Sequence, residues 1–212
     1  MPAKGARRSP GEPTDSHRRR GRPREFDPDE VLEAAMQTFW ETGYRSAAVP
    51  ELAAATGLST SSLYNEYGSK LGLFEAAFDR YLEQVIEGRM IGPLLRGQAG
   101  LADLDAYFDR LRGTIGRAAP RGCLAVNAIA EMRDPPAAVA RRTGAYRRRL
   151  QAGLQAALGR AEARGEIAPG SAATRAEAIV PIVIAFNLLV AAGVPGRESR
   201  ALLDSARTIA AG

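Results

Sequence analysis

A chain of 212 residues, 45% of them hydrophobic, can bury a sizeable core and has room for a small module beside a larger one. Its net charge of +5 sits at one end: residues 1–25 carry 8 basic and 3 acidic side chains, whereas the rest of the chain carries 21 of each. One cysteine excludes an intrachain disulfide, and one histidine, His17 in that polar end, leaves no means of assembling a His-based catalytic or metal site.

Residues 1–25 are rich in Pro, Gly, Ser and Arg and show no apolar periodicity, so they are expected to form a disordered basic arm. The stretch has charge but no apolar centre, unlike a signal peptide. Such arms commonly meet nucleic acid. Arg20, Arg22 and Arg24, spaced by Gly21 and Pro23, have the form of a minor-groove hook, because Arg suits the narrow, negative groove of A/T-rich DNA. A solvated tail without a partner is the alternative.

Asp27-Pro28-Asp29-Glu30 announces the first helix with a cap, a first-turn proline and a capping box. Val31, Leu32, Ala35, Met36, Phe39 and Trp40 share one face, and Gly43 is expected to end it. A short second helix should run from Val49 to Thr56 and stop at Gly57, and a third should follow Ser59. A fourth, over about 69–87, presents Leu73, Phe74, Ala77, Phe78, Tyr81, Leu82 and Val85 as one stripe. Gly92-Pro93 and residues 97–100 read as breaks. Helices are then expected over 101–115, 123–132, 137–164, 177–192 and 198–210. No segment alternates with a period of two, so the fold class is all-α, with three short N-terminal helices ahead of a larger helical part. The expected divisions are 1–25, 26–70 and 71–212. The longest apolar stretch, 178–192, holds Pro181 and Asn187 and is shorter than the ~20 residues a bilayer needs. It reads as a buried helix of a cytoplasmic protein with no membrane partner.

The informative stretch is 52–70. Two helices of about eight residues are joined at Gly57, with Ala53 four residues before it and Leu63 six after. A small residue lets the helices cross closely, glycine permits the turn, and Leu52, Leu58 and Leu63 fill the space between them. Thr60, Ser61, Ser62, Tyr64 and Asn65 are then exposed on the second helix, with short polar groups suited to base edges and phosphates in a major groove. The spacing alone also fits an ordinary helical hairpin.

The surrounding residues add to this. The run 21–81 resembles the N-terminal domain of the TetR family in Gly21-Arg22-Pro23-Arg24, Phe26-Asp27, Ala34-Ala35, Phe39-Trp40, Gly43-Tyr44, Thr56-Gly57-Leu58-Ser59, Leu63-Tyr64-Asn65, Gly68-Ser69-Lys70 and Leu73-Phe74. The resemblance implies an N-terminal three-helix helix-turn-helix domain followed by a helical ligand-binding and dimerisation domain, in a homodimeric repressor that binds double-stranded operator DNA and releases it when a small-molecule effector binds. It implies phosphate contacts from Tyr64 and Lys70, base or backbone contacts from Thr60, Ser61 and Asn65, and a DNA-facing surface that also includes Arg45, Ser46, Ser62 and Tyr67. The sequence departs from the pattern at Ala47-Ala48, where a Thr-Ser pair is usual and a cap is expected to be lost. It departs also at Glu66, whose carboxylate would repel phosphate, and at Gly72, where a capping-box Glu is missing. Residues 26–70 hold 7 acids against Arg45 and Lys70, so bulk charge cannot carry DNA affinity there.

Beyond about Tyr81 only a helical pattern remains. Apolar residues from Ile179 to Val190 cover every face of one helix, which must therefore be buried on all sides, by its own domain and by a second subunit or within a monomer. The resemblance implies a dimer through the last two helices, with Ile182, Phe186, Leu189, Leu202, Ala206 and Ile209 as candidates. It also implies an effector cavity, with Tyr107, Phe108, Leu111, Cys123, Asn127, Tyr146, Phe186 and Asn187 as candidates. Cys123 is read either as a small core residue or as a reactive thiol, which some family members carry in a similar Gly-Cys-Leu. Asn127 and Asn187 are read as polar anchors in an oily cavity or as partners for nearby backbone. No cofactor is expected. Neither a phosphate-cradling glycine loop nor a nucleophile elbow is present, which makes an enzyme the weakest class; a DNA-binding module that senses nothing is the serious rival.

Overall fold

The computed structural model describes residues 26–116 and 121–212; the arm, with Arg20, Arg22 and Arg24, lies outside them. The described residues form ten α-helices and one π-helical segment, with no strand. Helix α1, Pro28–Ser46, starts as its sequence dictates: the Asp27 carboxylate accepts the Asp29 N–H at 2.9 Å, with Pro28 in the first turn. Gly43 interrupts the regular helix as expected, though not as a left-handed cap. The glycine takes φ 79° and ψ 165°, and the helix runs on to Ser46 across the kink.

Helices α2 (Val49–Thr56) and α3 (Thr60–Tyr67) follow, joined through Gly57 at φ 69°, and α4 spans Lys70–Tyr81. The expected fourth helix changes character there: Leu82–Met90 is π-helical, and α5, Ile91–Arg96, runs through Gly92-Pro93 instead of breaking at it. Pro93 has no N–H to donate, and it sits in the first turn of α5, where none is needed. The π register ahead of it lets the Ile91 N–H reach the Ile86 carbonyl.

Helices α6 (Leu101–Arg112), α7 (Leu124–Glu131), α8 (Ala137–Ala163), α9 (Ala172–Ala191) and α10 (Gly196–Ala211) complete the chain. Helix α6 stops before Ile115, and α9 begins five residues ahead of its predicted start. At 20 residues and a mean hydropathy of 1.7, α9 is long and apolar enough to cross a membrane by length and composition, unlike the shorter stretch expected from sequence. Here its inner face (Ile179, Val183, Phe186, Val190) packs in the core between α8 and α10. Its outer face is not covered by the protomer: Leu188 is 38% exposed. Burial on all sides therefore does not hold within one chain.

One apolar core runs through both halves of the described chain. Along α1 and α4 it is an aromatic column. Phe74 meets Tyr44 at 4.9 Å, Phe39 at 5.1 Å and Phe78 at 5.5 Å between ring centroids, and Trp40 meets Tyr81 at 4.9 Å.

Candidate nucleic-acid interface and the cavity beside it

The turn between α2 and α3 is built from the residues the sequence singled out. Leu52 and Leu63 are buried, and Ala53 and Leu58 pack against them. The Ser59 hydroxyl caps α3 by accepting the Ser62 N–H at 3.1 Å, and lies 2.9 Å from the hydroxyls of both Ser61 and Ser62. Thr60, Ser61, Tyr64 and Asn65 are exposed on one side of α3, while Ser62 and Tyr67 are half-buried. Arg45 and Ser46 are exposed at the end of α1, beside this face. Lys70 is more tied than expected: its ammonium donates to the Arg45 carbonyl at 3.2 Å and lies 4.8 Å over the Tyr44 ring.

Two of the sequence departures have structural reasons. Helix α2 keeps half a cap without Thr or Ser, because the Glu51 carboxylate accepts the Ala48 N–H at 3.2 Å, and Ala47 sits in the core. At position 72 a Cβ would run into the Tyr67 carbonyl oxygen, so the Ser69-capped turn into α4 admits only glycine.

A cavity of about 410 Å³ lies behind this module. Of the residues proposed from sequence, Tyr107, Leu111, Cys123, Tyr146 and Asn187 line it. Phe108, Asn127 and Phe186 do not. Phe108 is wholly buried and has the Arg207 guanidinium 5.8 Å over its ring, on the α10 side. Asn127 donates its amide to the Arg121 carbonyl at 2.8 Å, and Phe186 is core. Phe186 and Ala206 are also fully enclosed by their own protomer, which removes both from a subunit interface; Ile182, Leu189, Leu202 and Ile209 remain partly exposed.

Sequence reasoning missed the walls contributed by α1, the π segment and the α6 arginine. Trp40, Tyr81, Ile86, Arg89, Arg110 and Arg121 all border the space. The signal for Trp40 and Tyr81 was present in their apolar stripes, but a stripe does not distinguish core from cavity wall. The Tyr81 hydroxyl donates to the Cys123 sulfur at 3.2 Å. Burial, reinforced by the neighbouring Cys123, pushes the phenols of Tyr81, Tyr107 and Tyr146 well above their ordinary range, so all three are neutral hydrogen-bonding groups.

The 121–123 segment ties the cavity to α1. The Trp40 indole N–H donates to the Gly122 carbonyl at 3.1 Å, and the Arg121 guanidinium pairs with Glu41 and Gln37 while lying 5.7 Å over the Trp40 ring. A second tie stands nearer the reader. Glu131, at the end of α7, accepts the Arg45 N–H at 3.1 Å, over the kink at Gly43.

Two family models match the chain. A family model described as bacterial regulatory proteins, tetR family, matches residues 31–77, and one described as tetracyclin repressor-like, C-terminal domain, matches 100–202. The chain is 32% identical over 154 residues to the HTH-type transcriptional repressor ComR of Escherichia coli K12, covering 71% of this chain and 72% of that one. It is 34% identical over 109 residues to the HTH-type transcriptional activator FasR of Mycolicibacterium smegmatis, covering 49% of each. Among solved structures, a cysteine mutant of the TetR family regulator CifR in complex with a 26-base-pair operator superposes with a TM-score of 0.70 at 30% identity, over 89% of this chain and 98% of that one.

Proposed function

This chain belongs to the tetR family of bacterial regulatory proteins, and we propose that it is a repressor working as a homodimer, released from a pseudo-palindromic operator by a small molecule. The observation that carries the reading is the position of Trp40. It stands on α1, the helix against which α2 packs, and it also forms a wall of the cavity. A molecule entering the cavity therefore touches the helix that supports the DNA-facing module.

Thr60, Ser61, Tyr64 and Asn65 would face the major groove, Arg45 and Ser46 the flanking backbone, and Arg20, Arg22 and Arg24 a neighbouring minor groove. Lys70, held at the Arg45 carbonyl, would set the position of that backbone contact as well as supply charge. Two copies joined along the outer faces of α9 and α10, through Ile182, Leu188, Leu189, Leu202 and Ile209, would place two readers in grooves ~34–36 Å apart or a multiple of it. An operator target puts this work in the cytoplasm. The 26-base-pair operator bound by CifR supports the scale of such a site, and ComR, named a repressor, supports repression.

The test is operator affinity, by fluorescence anisotropy, with and without a saturating ligand found by thermal-shift screening. Ligand should weaken operator binding at least tenfold, and operator should weaken ligand binding by the same factor, ~1.4 kcal/mol. Equal ligand affinity for free and DNA-bound protein would leave a constitutive DNA-binding module in place of a sensor. Light scattering at micromolar concentration should show twice 22.6 kDa for the wild type, and Leu188→Asp should shift it toward 22.6 kDa.

A further inference from the structure

Three arginines border the cavity, Arg89, Arg110 and Arg121, and no aspartate or glutamate is among its lining residues. Their charges are not equally available. Arg121 is neutralised by Glu41. Arg89 is exposed at the rim. Arg110 is half-buried, and its Nε is inaccessible to solvent and has no hydrogen-bond partner among the described residues.

The acids of α6 do not serve Arg110. Asp103 pairs with Arg160 at 3.0 Å, and Asp105 and Asp109 pair with Arg207 at 3.1 and 2.5 Å. Every acid of that helix is thus turned toward α8 or α10, and Arg110 borders the cavity with no counter-ion among the described residues. A half-buried guanidinium whose Nε is closed to water and unbonded gains from an anion that supplies both the charge and the missing acceptor. The rest of the lining is mostly apolar or aromatic, with Trp40, Ile86, Met90 and Leu111 beside the three tyrosines and with Thr114 and Asn187 as its neutral polar members, which suits an apolar, flat body.

We propose that the cavity selects an anion: a small, largely apolar or aromatic molecule with one acidic group, whose oxygens pair with Arg110. This deepens the effector reading above and rests on it. Arg110 donates through its fork, the Tyr107 hydroxyl adds a donor, and the hydrocarbon part lies against Trp40.

The test uses the intact chain and a matched pair of fluorescent probes, anilinonaphthalenesulfonate and phenylnaphthylamine, which share a skeleton and differ by the sulfonate. Trp40 is the only tryptophan, so quenching of its emission reports binding in this cavity and not on the basic arm. The sulfonate should bind one per protomer and at least about tenfold more tightly than the neutral probe. Arg110→Gln should remove that preference while leaving the neutral probe within about twofold, and Arg110→Lys should keep most of it. Equal affinity for the two probes, an unchanged preference in Arg110→Gln, or no Trp40 quenching by either probe overturns the proposal. The two readings separate cleanly. A neutral probe that binds as well and still weakens operator binding refutes the anion site alone. A sulfonate held through Arg110 that leaves operator affinity unchanged supports the anion site and refutes release.

Discussion

Replacing Gly43 with alanine tests the tie between α7 and the reader. At φ 79° and ψ 165° this residue occupies backbone space that is essentially reserved for glycine, and an L side chain held there costs ~1–3 kcal/mol. A Cβ at that position would also run into the Glu131 Oε1, so the carboxylate must move and its 3.1 Å hydrogen bond to the Arg45 N–H is broken. That bond is solvent-exposed, so its share is about 1 kcal/mol and not the full value of a buried charged contact. Gly43→Ala should therefore cost about 2–4 kcal/mol, a Tm drop of roughly 4–16 °C for a chain of this size at fixed protein concentration. In a Glu131→Ala background nothing stands in the way of the Cβ and the hydrogen bond is already gone, so the same substitution should cost about 1 kcal/mol less. Urea denaturation of the four proteins gives the cycle. A cost below about 0.5 kcal/mol for Gly43→Ala, or no coupling to Glu131, would mean that neither the kink nor the α7 tie exists as described.

Three further outcomes are expected. Deleting residues 1–24 should weaken operator binding and flatten the slope of log affinity against log salt by up to ~0.9 for each phosphate the arm neutralises; an unchanged slope would mean the arm never meets DNA. Tyr64→Phe should reduce affinity by a similar factor for all sequences, whereas Asn65→Ala should change preference at particular base pairs, with wild-type affinity in both arguing against α3 in the groove. At alkaline pH the unfolded chain loses tyrosine protons from about pH 10 while the folded chain keeps those of Tyr81, Tyr107 and Tyr146. Stability is therefore intact below that pH and falls as pH rises beyond it, by ~1.4 kcal/mol per unit for each phenol. Absorbance at 295 nm should show three tyrosines ionising only as the protein unfolds.

The reader was legible in the sequence because its determinants are local. Ser59, Gly57 and Asp27 act within three residues of themselves, and the leucines between α2 and α3 are separated by a single turn. The cavity was half legible. Tyr107, Leu111, Cys123, Tyr146 and Asn187 lie on helices whose buried faces can be read from periodicity, but periodicity gives the same answer for Phe108 and Phe186, which meet side chains instead of space. Only the rotation of each helix against its neighbours separates wall from core, and that rotation is set by long-range contacts. The π segment shows the same limit: its Leu82, Val85 and Ile86 continue an apolar stripe, while its register answers to Pro93 further on.

These long-range contacts also revise where a signal would travel. Helix α4 offers one route, since it follows the reader directly and ends at Tyr81 in the cavity wall. The structure adds α1 as a shorter route. Trp40 and the Arg121 staple hold α1 from inside the cavity, Glu131 holds its last turn, and the column from Tyr44 through Phe74 to Tyr81 locks α1 to α4. Close-packed aromatic layers of this kind favour shifts between discrete arrangements over smooth deformation. Under the proposed release, a ligand that moved Trp40 or drew Arg121 away from Glu41 would act on α1 and α4, the helices against which α2 and α3 pack. What such a ligand could contribute is bounded by its difference in affinity for the two arrangements.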